Sequence, residues 1–159
     1  MAQFISIEQI AAYSSFDGNI DNDSISPNID QAQTNEIERV LGADLYDKIN
    51  NDLNNEIELT GDYLTIFNKY IIRLEVYYTC YYYLSFTVPK VSQNGAYYVT
   101  PDKTQSLTLD ELEKMAAKYE KLAVGLELKF IEALDLLNLP ERPAPSSIKP
   151  KSNFNWIKI

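Results

Sequence analysis

Few residues in this chain of 159 could do chemistry, and most of the usual ones are missing. There is no histidine, so the common general base, metal ligand and partner of a nucleophile are all absent. The single cysteine, Cys80, excludes an internal disulfide and suits a reducing compartment. It lies among tyrosines, where a free thiol reads as a small buried hydrophobe rather than a reactive group. The Asp17, Asp21 and Asp23 cluster in DGNIDNDS comes nearest to a cation loop. It lacks the alternating ligands, central glycine and distal glutamate of a calcium hand, and loop-forming Asp and Asn suit such a stretch without metal. GADLYDK lacks the glycine spacing and Lys-Ser/Thr ending of a phosphate loop. Basic residues do not cluster with aromatics outside the C-terminal tail. The expectation is a protein without enzymatic activity, cofactor or metal.

Charge is distributed unevenly. Residues 1–62 hold 13 Asp and Glu against Arg39 and Lys48 alone, whereas residues 63–159 hold 10 acids and 12 bases. An acidic front half repels nucleic acid, which needs clustered Lys and Arg. It suits solubility, a basic partner surface, or a passage through which DNA slides without sticking. No apolar run approaches the roughly 20 residues that cross a bilayer. The opening MAQFISIEQIAAY has neither a basic region nor a long apolar core, so it does not read as a signal peptide.

The elements that must position these residues are mostly helical. Ser6 with Gln9 predicts a capping box and a short helix to about Tyr13. A loop follows over 14–25. Ser26 as cap with Pro27 at the first helical position predicts a helix over 27–41, ended by Gly42, and a second over 43–54. From Asp62 to Phe86, Leu64, Phe67, Ile71, Leu74, Tyr78, Tyr81 and Ser85 recur at spacings of three and four, one face of a long helix that Pro89 ends. In VPKVSQNGAYYVTP, β-branched and aromatic residues flank Asn94-Gly95, which predicts a β-hairpin over about 88–100. Thr108 and Glu111 predict a capping box opening a last helix. Its seam of Leu109, Leu112, Ala116, Tyr119, Ala123, Leu126, Phe130, Ala133 and Leu137 should pack antiparallel to the 62–86 helix. The tail, 138–159, has four of the seven prolines and four bases against one acid. It reads as an extended arm whose Phe154, Trp156, Ile157 and Ile159 either dock on a partner or fold back on the core. The fold class expected is mainly α: an antiparallel helical bundle (1–137) with two long helices, a small β-hairpin insertion and an extended C-terminal arm (138–159).

The wording of the front half carries more. Phe16-Asp17-Gly18-Asn19-Ile20-Asp21, then Ala32-Gln33, then Leu41-Gly42, Leu45-Tyr46 and Ile49, followed by a Tyr-rich helix, a Gly-containing excursion and a capped last helix, resembles the head–tail connector (adaptor or head-completion) proteins of tailed bacteriophages. The likeness is closest to those of phages infecting Bacteroidetes-type hosts, and it covers about residues 4–137. It implies a structural virion protein, assembled as a ring, commonly of twelve copies, at the neck beneath the portal protein after a stage in the host cytoplasm. Such a ring extends and seals the DNA channel and presents a platform to tail or other neck proteins. Portal or subunit docking would then fall to Phe154, Trp156, Ile157, Ile159 and the Asn94-Gly95 turn. Asp21, Asp23 and Asp30 would face a channel through which DNA passes without specific binding, with no membrane involved. Two rival classes stay open: another neck or tail-completion protein, and an acidic DNA mimic that inhibits a host enzyme.

Overall fold

Two capping boxes set helix starts where the sequence places them. The Ser6 hydroxyl accepts the Gln9 N–H while the Gln9 side chain accepts the Ser6 N–H at 2.9 Å, opening α1 (Ile7–Tyr13). Thr108 and Glu111 do the same for α7 (Leu109–Asp135), and each box satisfies donors that a helix start otherwise leaves orphaned. The computed structural model describes residues 2–87, 89–92, 95–98 and 108–142, of which 87, 89–92 and 95–98 are described by backbone alone.

The second helical run begins earlier than its proline suggests. Helix α2 spans Asn22–Ala32, with Asp21 in extended conformation at its N-cap and Pro27 inside it. Ser26 is therefore not the cap. Asp21 supplies the opening carbonyl, accepting from Ser24 and Ile25 at 3.1 and 3.2 Å. Pro27, inside α2, forgoes the bond to the carbonyl of Asp23, an exposed residue near the helix start where water can serve instead, and its ring crowds that carbonyl. A π-turn, Gln33–Ile37, leads into α3 (Glu38–Leu41), and α4 (Ala43–Asn54) follows after one residue. That residue, Gly42, has φ 80° and ψ 154°. A side chain is scarcely tolerated there, and the α3–α4 corner depends on it.

The third run is α5 (Gly61–Ile66), a π-turn over Phe67–Ile71, α6 (Ile72–Tyr82) and a further π-turn, Tyr83–Thr87. The single-face expectation needs correcting here. Leu64 is 40% exposed, whereas Ile72, Leu74, Glu75, Val76, Tyr78, Thr79 and Cys80 are all buried. Helix α6 is covered on nearly every side because α1, α2 and α7 all pack on it. A π-turn also shifts the facing of later residues relative to a strict 3.6 period. Helix α7 runs antiparallel to α6: Tyr70 stacks on Phe130 at 4.9 Å, Tyr78 reaches Glu127, and Tyr77 meets Tyr119. On α7, Leu112, Ala116, Tyr119, Ala123 and Phe130 are buried as the seam predicts, but Leu109 is half exposed.

Between α6 and α7, the backbones of β1 (Pro89–Ser92) and β2 (Gly95–Tyr98) pair antiparallel, Pro89 opposite Tyr98 and Ser92 opposite Gly95. Gly95 is thus a strand residue rather than a turn centre, and Asn94 lies outside the described residues. The fold as a whole is mainly helical. Its core has two centres around α6. One gathers Phe4, Leu41, Leu45, Ile49, Tyr78 and Phe130; the other gathers Ile10, Ile25, Ile29, Val76, Cys80 and Tyr119. After α7 the chain stays on the core through Arg142, whose guanidinium donates to the Val40 carbonyl and pairs with Asp135, both at 2.9 Å.

Candidate functional site

Three arrangements bear on function: the joint formed by the motif residues, a buried ionic brace, and a basic groove. The joint is built around Gln33, which opens the π-turn and is fully buried. Its amide oxygen accepts the Phe4 N–H at 3.1 Å, and its NH2 donates to the Ala2 carbonyl at 2.8 Å and to the Tyr46 hydroxyl at 3.2 Å. A single side chain thus ties the N-terminal segment, the second run and α4 together. Ala32, Leu41, Leu45, Tyr46 and Ile49 are buried in the same core around it, and burial pushes the Tyr46 hydroxyl above its ordinary pKa. The motif residues from Ala32 to Ile49 therefore form one packed corner, with Gly42 as its bend. Gly18 and Asn19 stand apart on the exposed 14–21 loop, where the Asn19 N–H donates to Asp17 at 3.0 Å in an Asx-turn.

The brace lies one turn further along. Arg39 donates to both oxygens of Glu127, at 3.0 and 2.6 Å, and to Glu36 at 3.0 Å. Tyr78 donates to Glu127 at 2.6 Å and Tyr82 to Glu36 at 2.7 Å. Both carboxylates are buried, and the Arg39 side chain is 30% exposed. Burial alone would lower the Arg39 pKa, but its bonds to Glu127 and Glu36 outweigh that and raise it. Burial and the facing carboxylates push both tyrosines upward as well. One cation thus serves two carboxylates, with two phenols supplying further donors. The carboxylate oxygens are engaged and sealed from solvent, so this is a cross-brace between α3, α6 and α7 rather than a reactive centre. Its sequence trace is Glu127, which falls four residues after Ala123 and three before Phe130, on the seam itself.

A different carboxylate has no such support. Glu75 is fully buried on α6, and neither of its oxygens, nor the Thr79 hydroxyl oxygen, has a hydrogen-bond partner among the described residues. Burial, reinforced by Asp30, holds its pKa well above the usual carboxylate range.

The groove lies along the exposed seam between α6 and α7. Arg73, Lys118, Lys121 and Lys129 rim a cavity of about 420 Å³; all four are exposed, and none makes an ion pair among the described residues. Tyr77, Leu122 and Leu126 give it an apolar floor. Gly125 leaves it open, since a Cβ there would meet nothing within 4 Å. Arg73 also stacks over the Tyr13 ring at 5.0 Å. The expectation that cations and aromatics would not meet outside the tail is corrected here. The signal was the 118, 121, 125, 129 spacing, one stripe of a helix, hidden by the acids interleaved along α7.

The remaining expected site residues do not gather. Asp21, Asp23 and Asp30 are exposed along α2, and Asp30 accepts from the Gln3 amide at 3.1 Å. Phe154, Trp156, Ile157 and Ile159 lie outside the described residues. No group of three metal-ligating side chains forms among the described residues, and no described helix is long and apolar enough to cross a membrane. Cys80 is buried, and burial pushes its thiol up to about 12.

Residues 37–135, well over half the chain, match the family described as "Family of unknown function (DUF6712)". The matched stretch starts at the last residue of the first π-turn and ends with α7, so it takes in the groove and the Arg39, Tyr78, Tyr82 and Glu127 part of the brace, while Gln33 and Glu36 lie just before it. No curated protein matches the chain, and no solved structure does.

Proposed function

The chain belongs to the family of unknown function DUF6712, and we propose that it is a structural, non-enzymatic virion protein: a ring-forming adaptor between portal and tail in a tailed phage. The observation that carries this reading is the joint around Gln33. Of the residues on which the connector resemblance rests, Ala32, Gln33, Leu41, Leu45, Tyr46 and Ile49 are buried in one corner of the core with Gly42 as its bend, while Gly18 and Asn19 lie apart on the exposed loop. The larger part of the likeness therefore falls on one folded corner. Helices α6 and α7 with their ionic brace supply a stiff wedge suited to a ring subunit, and the exposed Asp21, Asp23 and Asp30 suit a channel wall that repels DNA. In this reading the hairpin insertion and the chain beyond Arg142, which itself is tied to the core, provide contacts to neighbours, portal and tail.

Quantitative mass spectrometry of purified particles of the phage that encodes the chain tests the reading. A low copy number near that of the portal supports an adaptor ring at the vertex. Absence from mature particles overturns it and favours an acidic inhibitor of a host enzyme.

A further inference from the structure

The basic groove has a complement elsewhere on the same chain. Helix α4 ends in a Schellman turn: the Ile57 N–H reaches back to the Asp52 carbonyl at 2.8 Å and the Glu56 N–H to the Leu53 carbonyl at 3.2 Å. The turn needs a left-handed residue, and Glu56 occupies it at φ 56°, alone among the described non-glycine residues. The result is a projecting knuckle, Glu56-Ile57-Glu58, with all three residues exposed and Ile57 at 54%. In a Schellman turn the residue in the Ile57 position commonly folds its apolar side chain back onto the helix. Here it stands out between two acids.

We infer that the Glu56-Ile57-Glu58 knuckle of one copy seats in the Arg73/Lys118/Lys121/Lys129 groove of the next, and that this is the lateral contact of the assembly. The match is one of pattern as well as sign: acid–apolar–acid against a cation-rimmed apolar floor of Tyr77, Leu122 and Leu126. The occupant is a second copy rather than the chain's own tail, because the sequence beyond Arg142 carries three bases, Lys149, Lys151 and Lys158, and no acid, so like charge opposes it at the groove. Duplex DNA is a poorer occupant. Its phosphates meet four cations here on a protein of net charge −9, whose overall field opposes a polyanion. Knuckle and groove are different patches, so when each copy gives its knuckle to one neighbour and its groove to the other the contact is heterologous, and copies close into a ring or extend as a filament; a reciprocal two-fold pairing would stop at a dimer and overturn the lateral role. This inference rests on the ring-adaptor reading for its context, but its contact is tested apart from that reading.

The test is a charge swap in the full-length chain, followed by sedimentation velocity over a concentration series up to about 1 mM, where contacts of a few kcal/mol populate. Wild type should self-associate beyond a dimer. K118E/K121E and E56K/E58K should each weaken association by roughly tenfold or more, since facing like charges oppose docking. The chain carrying all four substitutions should recover it, and circular dichroism should match wild type throughout. A wild type that stays monomeric, single swaps without effect, or a fourfold variant that does not recover would each overturn the contact. So would retention of duplex DNA by wild type that K118E/K121E abolishes, which would assign the groove to nucleic acid. Ring-like copy number in particles together with inert swaps would sink the contact and leave the adaptor reading standing. Absence from particles with active swaps would do the reverse.

Discussion

Arg39 on α3 holds Glu127 on α7 with two guanidinium nitrogens, at 3.0 and 2.6 Å, across 88 residues of sequence. The planar fork matches the carboxylate two-for-two, and Glu36 and Tyr78 join it on either side. A buried pair of this kind adds little over an apolar substitute, yet breaking it on one side strands the remaining charge. In Arg39→Leu, two buried carboxylates would lose the guanidinium that joins them. Destabilisation by about 3 kcal/mol is expected in urea unfolding, and E36Q/E127Q added to it should recover a large part. A double-mutant cycle between Arg39 and Glu127 checks the coupling.

Gln33 makes three hydrogen bonds from a fully buried position. Gln33→Leu would leave the Phe4 N–H and the Ala2 carbonyl without this partner, at a cost of about 1–3 kcal/mol. The loss should be local first. Hydrogen exchange at residues 2–6 should accelerate by more than that in α6, and uniform acceleration would show that the N-terminal segment is not a separate unit.

Glu75 makes stability depend on pH. Its pKa is raised in the folded chain by burial and by Asp30, so the folded state keeps a proton that the unfolded state releases near the ordinary value of about 4.3. The stabilisation is fully present below that value and is lost as pH rises toward the folded pKa. Wild type should therefore lose Tm between pH 5 and pH 8 more steeply than Glu75→Gln, which is expected to be the more stable of the two at pH 8. Parallel Tm profiles would show that the side chain gains solvent or a partner in solution.

Glu56 occupies a left-handed position that glycine fills at no steric cost. Glu56→Gly should raise stability by up to about 1 kcal/mol, read as a higher urea midpoint at unchanged m-value. The same substitution removes one acid from the knuckle, so a gain in stability with weaker self-association is the expected combination. A stability loss would mean that the Glu56 side chain makes contacts in solution that outweigh the backbone strain.

The helices and their ends were legible in the sequence because they depend on local chemistry. Ser6 with Gln9 and Thr108 with Glu111 are capping boxes within four residues, Gly42 is a backbone requirement, and the α7 seam is a period. The start of α2 was not legible. Pro27 favours the first helical position, where its missing N–H costs nothing, yet the helix starts at Asn22 and the proline is carried inside it, with Ile25 packed in the second core centre. What the tertiary structure alone decided was the partners of the charged side chains. Glu36, Glu75 and Glu127 look alike in the sequence, yet one pair is braced by Arg39 and the third has no hydrogen-bond partner among the described residues. Likewise Lys118, Lys121 and Lys129 are interleaved with acids along the chain and become a groove only when α6 brings Arg73 and Tyr77 beside them. Helix-forming signals act over a few residues, whereas desolvation and charge pairing depend on which distant surfaces the fold brings together.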